Sequence, residues 1–185
     1  LARKHTCEGG DTSPHIAWKG VPEGAKSLAL VVEDPTSDIN GFDVDVLWTH
    51  WVVYAIPPDV TEFEPGQMTG DLLENGSKQG ANDYERVQYN GPCPIPRMVF
   101  PTHWSGGGVQ SSRAPIVPEE RPYHFRLYAL DVPIDLPPGA DRDALLEAID
   151  GHLMAAGQLA INFKSTRKQS CSSPNPAICL EIIRR

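Results

Sequence analysis

Apolar residues cluster along this chain in short runs that proline and glycine cut off. Ser27 to Glu33 reads Ser-Leu-Ala-Leu-Val-Val-Glu, with Pro22-Glu23-Gly24 before it and Asp34-Pro35 after it. That pattern predicts a buried strand that delivers Asp34 at its end. Trp51 to Ile56 is a second such run, opened by Trp48-Thr49-His50 and stopped by Pro57-Pro58. In His124 to Leu130, alternation assigns Phe125, Leu127 and Ala129 to one face and His124, Arg126 and Tyr128 to the other. One segment has a helical period instead. Leu145, Ile149 and Leu153 recur at four-residue spacing beside Leu146, after a candidate N-cap at Asp141, and Gly157 is the expected stop. Leu159, Ile161 and Phe163 then alternate as a closing strand.

Two stretches carry neither period. Arg97 to Glu120 holds three successive glycines (Gly106, Gly107, Gly108) among several prolines and reads as a long inserted loop. From Lys164 to Arg185 the composition is polar and proline-containing, the pattern of a tail or wrapping segment. No internal repeat is present, and 185 residues are most simply one domain spanning 1–185. The 18 prolines and 16 glycines demand many turns, which favours a mainly β plan over a helical bundle.

The net charge of −8 argues against nucleic acid as a partner, because phosphate backbones are held by clusters of Lys and Arg. No apolar run reaches the ~20 residues of a membrane-spanning helix. The chain starts Leu1-Ala2-Arg3-Lys4, with no methionine and no apolar signal core, compatible with a processed or a trimmed start. The cytoplasm is the expected compartment. The cysteines leave this open. Cys7 and Cys93 lie far apart in sequence, whereas Cys171 and Cys179 bracket a proline-containing segment that oxidation is expected to close. A native Cys171–Cys179 bridge would instead place the protein outside the cytoplasm.

Signatures of catalysis are missing. There is no Gly-x-Ser-x-Gly elbow, no phosphate loop, no Gly-x-Gly-x-x-Gly and no His-Glu-x-x-His. His5 and Cys7 form one potential ligand pair without a second, and they read as a surface histidine and a packed cysteine. No metal or cofactor is expected. Three segments gain weight together: Asp34-Pro35-Thr36-Ser37-Asp38, His50-Trp51, and Gly91-Pro92-Cys93-Pro94 preceded by Gly80-Ala81-Asn82-Asp83-Tyr84. Singly, each has a structural explanation as a turn, a satisfied core histidine or a rigid loop.

In order along the chain, Thr6-Cys7-Glu8-Gly9, Ser13-Pro14-x-x-x-Trp18, Gly24-Ala25-Lys26-Ser27-Leu28-Ala29-Leu30, Asp34-Pro35, His50-Trp51-Val52-Val53, Gly80-x-Asn82-Asp83-Tyr84, Gly91-Pro92-Cys93-Pro94 and Tyr128-Ala129-Leu130-Asp131 resemble the phosphatidylethanolamine-binding protein (PEBP) family. The similarity is to its bacterial and archaeal branch, relatives of the Raf kinase inhibitor protein, and runs from about Thr6 to Phe163. It implies a PEBP-like fold, with a large antiparallel sheet packed on a smaller one and few peripheral helices. It also implies a small pocket for an anion, phosphate or a phospholipid head group. The family's pocket Asp and His match Asp34 and His50, its Gly-Pro turn matches Gly91 and Pro92 as a wall, and its pocket Tyr falls on Tyr123. The family's His-Arg-Tyr segment is replaced here by Arg121-Pro122-Tyr123, which puts Arg121 where the second pocket histidine would be.

The chemistry of this grouping is reasonable. His50, Arg121, a tyrosine hydroxyl and backbone N–H groups can donate to an anion, while Asp34 orients His50 or accepts a proton from a monoprotonated phosphate. The resemblance therefore implies a non-catalytic binding protein whose pocket rim regulates or inhibits a protein kinase or protease. Two alternatives compete with it: a hydrolase using Asp34 and His50 as a general-base pair, and a structural, partner-recruiting protein that binds no anion.

Overall fold

The computed structural model describes residues 1–37, 45–66, 70–93 and 120–164. The strands are β1 (Ile16–Ala17), β2 (Ser27–Ser37), β3 (Asp45–Ile56), β4 (Glu62–Phe63), β5 (Lys78–Gly80), β6 (Glu120–Leu130) and β7 (Leu153–Lys164), and the helix α1 (Arg142–Ile149) lies between β6 and β7. Five strands form one antiparallel sheet in the order β5-β3-β2-β6-β7, and β1 pairs with β4 in a small second sheet. The fold is mainly β, a large antiparallel sheet with a smaller one and a single α-helix among the described residues.

Alternation along the strands gives the large sheet two buried faces. Leu28, Leu30 and Val32 of β2 join Trp51 and Val53 of β3 and Tyr123 and Phe125 of β6 on one face. Phe63 of the small sheet buries itself there, with Ile16 and Trp18 packed alongside. The intervening residues Ala29, Val31, Val52 and Tyr54 face the other way and meet Leu145 and Ile149 of α1. A central strand covered on both sides reads as a continuous apolar run, which is why Leu28 to Val32 shows no polar alternation. On the helix side the buried carboxylate of Glu33 meets Arg126 Nη1 at 2.6 Å and Arg142 Nε at 2.8 Å. It thereby ties the start of α1 to two strands.

The helix begins as expected, with the Asp141 side chain accepting from Ala144 N at 2.9 Å. It ends earlier than the apolar spacing suggests. Leu153 does not extend the stripe; it opens β7, which pairs with β6 down to Lys164. Gly151, at φ +77°, breaks the helix after Ile149. The apparent helical periodicity of Leu153 is a coincidence of spacing that pairing with β6 overrides. β2 likewise continues past Asp34, through Pro35 to Ser37, paired with β3.

His5 and Cys7 are also corrected. His5 is buried, with Nδ1 2.8 Å from the Thr12 carbonyl oxygen, and Cys7 forms a disulfide with Cys93. The inserted loop before Glu120, the tail after Lys164 with Cys171 and Cys179, and the side chain of Arg121 lie outside the described residues. Among the described residues no helix is long and apolar enough to cross a membrane.

Candidate functional site

The position of His50 depends on an irregularity in β3. Val32 pairs with Trp51, yet the next residue, Glu33, pairs with Thr49, so His50 is the extra residue of a β-bulge. Strict alternation would send His50 and Trp51 to opposite faces. The bulge lets both address the same face, the one that also carries Asp34, two residues on from Val32. His50 Nε2 and Asp34 Oδ2 are 3.9 Å apart, and both side chains are almost completely buried. That separation is too long for a hydrogen bond.

Two aromatic rings pack on the His50 ring, and a third stands against one of them. The Tyr123 ring meets His50 edge-on at 5.2 Å, Tyr84 lies 5.7 Å from His50, and Trp48 stands edge-on to Tyr84 at 5.4 Å. Tyr123 is buried. His124, its neighbour in β6, lies on the outer side, where its ring is 2.8 Å from Gln158 Nε2.

The imidazole is oriented from its far side. A carbonyl oxygen only accepts, so the 2.8 Å contact between His50 Nδ1 and Asn90 O fixes the proton on Nδ1 and aims Nε2 towards Asp34. Among the described residues Nε2 has no hydrogen-bond partner. Asn90 is held by its own backbone N–H on His50 O at 3.1 Å and by its side-chain amide on Asp11 Oδ2 at 2.9 Å. The other oxygen of Asp11 accepts from Gly91 N at 2.6 Å. Gly91 must be glycine: a Cβ there would lie 2.0 Å from the backbone oxygen of His5. Pro92 O accepts from Cys7 N at 3.1 Å, and the disulfide follows at Cys93.

Asn82 and Asp83 brace the strand that carries His50. The Asn82 amide reaches Gln88 O and Asn90 Oδ1, both at 2.9 Å, and Asp83 Oδ2 accepts from Thr49 N at 2.6 Å. Asp34, His50, Tyr123 and the Gly91-Pro92 segment are thus brought to one place. Asp11, Asn90, Tyr84 and Trp48 also belong to the site, beyond the pocket residues that the family resemblance names. Tyr84 stood within a motif already singled out, whereas Asp11 offered no signal beyond an ordinary acidic loop residue.

Burial pushes the Tyr84 phenol up to about 12, reinforced by Asp34, Asp11 and Asp83 and partly offset by a hydrogen bond with Trp48; burial also raises Tyr89. Both phenols therefore stay neutral donors at physiological pH. Above pH ~10 the unfolded chain ionises its tyrosines first, so it binds fewer protons than the folded one, and stability falls as pH rises towards the folded values. Urea midpoints are expected to drop between pH 9.5 and 11, and less steeply for Tyr84→Phe; identical slopes in the two proteins would contradict this assignment.

A separate groove of about 310 Å³ runs between Ile16–Pro22 and the Leu127, Ala155 and Leu159 region. It is mainly apolar and contains none of the residues around His50.

The phosphatidylethanolamine-binding protein family model matches residues 1–103. A UPF0098 protein of Methanothermobacter thermautotrophicus is 39% identical over 86% of this chain and 87% of its own length. The chain belongs to the phosphatidylethanolamine-binding protein family. Among solved structures, a PEBP homolog of Chlamydia trachomatis superposes with a TM-score of 0.68 at 30% identity, covering 89% of this chain and 88% of that one. Escherichia coli YbcL, described as a member of the mammalian PEBP family, gives 0.67 at 26% identity over 89% and 90%. The bacterial and archaeal branch of the PEBP family is where these relatives fall.

Proposed function

We propose that this PEBP-family chain is a non-catalytic binding protein that holds a small anionic group, a phosphate or a phospholipid head group, against Asp34, His50 and Tyr123. The observation that carries the reading is the oriented His50. Its Nδ1 is committed to Asn90 O, while its buried Nε2 faces the cluster with no hydrogen-bond partner among the described residues. A buried polar nitrogen left in that state is costly unless a further group completes it. A monoprotonated phosphate suits both partners: its O–H donates to the Asp34 carboxylate, and another oxygen accepts from Nε2–H whenever the His50 ring carries its second proton. The neutral phenol of Tyr84 and the Tyr123 hydroxyl are further donor groups at the site, and Gly91-Pro92 forms the wall.

Phosphate titration followed by calorimetry and NMR tests this. His50→Ala is expected to weaken binding at least tenfold, the loss of one charge-assisted hydrogen bond. The surface variant His152→Ala should bind like the parent. Equal affinities for all three proteins would defeat the proposal, as would turnover of a phosphomonoester that depends on His50.

A further inference from the structure

The wall of this site is joined to the N-terminal segment by a covalent bond that the anion chemistry does not use. Cys7 and Cys93 are 86 residues apart in sequence, with their Cα atoms at 5.2 Å. The bridge closes a row of contacts between residues 5–11 and 89–93. Tyr89 Oη donates to His5 O at 2.7 Å, Asp11 takes the Asn90 amide and Gly91 N, and Cys7 N donates to Pro92 O at 3.1 Å. Asn90 is the residue whose carbonyl orients His50. Only Gly91 and Pro92 separate it from Cys93.

We infer that the Cys7–Cys93 disulfide is a redox lock on this wall: oxidised, it clamps Asn90 to Pro92 against His50, and reduced, it lets that segment open and weakens anion binding. The inference rests on the binding role proposed for His50. Both cysteines are partly exposed, so an external dithiol can reach them. Attack by one thiolate of the dithiol breaks the S–S bond and forms a mixed disulfide, which the second thiolate resolves. The two electrons come from the dithiol, which leaves as a cyclic disulfide, while Cys7 and Cys93 become thiols. What then still joins this stretch to the N-terminal segment is the set of hydrogen bonds at Tyr89, Asn90, Gly91 and Pro92, all outside the large sheet. Such a segment can open locally while the sheet stays closed.

The experiment compares oxidised protein, protein reduced with dithiothreitol, and the Cys7→Ser/Cys93→Ser double variant. Amide hydrogen exchange is recorded without any anion, and inorganic phosphate is titrated separately. On reduction, the Gly91 amide should exchange at least tenfold faster while Val31 and Val52 in the large sheet keep their protection. The phosphate Kd should rise at least tenfold, and the double variant should match the reduced protein. Unchanged Gly91 exchange overturns the lock, as does equal loss of protection at Val31 and Val52, which would show global destabilisation instead. If oxidised protein binds no phosphate, the proposed anion role of His50 fails, and Gly91 exchange still decides on the lock itself.

Discussion

Replacing Trp51 with alanine is expected to cost about 4 kcal/mol, the largest loss available from a single side chain here. The indole is completely buried beneath the small sheet, with its ring 6.0 Å from Phe63 and edge-on to Tyr89 at 5.5 Å. Its Nε1 donates to Gln79 Oε1 at 2.7 Å, and Gln79 is itself buried. Truncation therefore opens a cavity and also leaves a buried amide oxygen without its donor. For a domain of this size that corresponds to a fall in Tm of roughly 8–16 °C. Trp51→Phe keeps most of the volume and loses the hydrogen bond, so it should fall between the two. Thermal and urea unfolding measure both variants, and a loss below 1 kcal/mol for Trp51→Ala would contradict the packing described.

The second large effect is expected at Gly91. A methyl group there would meet His5 O at 2.0 Å, His5 C at 2.8 Å and Thr6 Cα at 2.9 Å. These are backbone atoms, held by the disulfide on one side and by Asp11 on the other, so no flexible side chain can yield. Gly91→Ala is expected to destabilise by about 3 kcal/mol through overpacking. It should also displace Asn90 O from His50 Nδ1, so the loss of phosphate affinity should match that of His50→Ala. A variant as stable as the parent that binds phosphate equally well would show that the wall is not packed this way. Gly157→Ala is the control, since a Cβ at Gly157 meets nothing within 4 Å.

The two glycines look alike in the sequence, and their contrast shows where sequence reasoning stops. The apolar runs in β2, β3 and β6 announced themselves, because burial requires a face-by-face pattern that the chain has to carry locally. The cap at Asp141 was equally local, since it involves a side chain and an amide three residues away. The family motifs placed Asp34, His50, Tyr123 and Gly91 in one neighbourhood. The end of α1 was less legible, because Leu153 fits a helical stripe and a strand equally well, and only pairing with β6 decides between them.

What the tertiary structure alone decided concerns contacts between segments distant in sequence. The bulge at His50 arises from how β3 registers against β2, and no property of Thr49-His50-Trp51 requires it. The selection of Asp11 to hold Asn90 and Gly91 spans nearly half the chain. The Cys7–Cys93 bridge depends on the same approach of the N-terminal segment to residues 89–93. Local sequence determines which residues want to be buried and which can turn or cap. It does not determine which distant segment meets them, because that choice is made by the packing of the whole sheet.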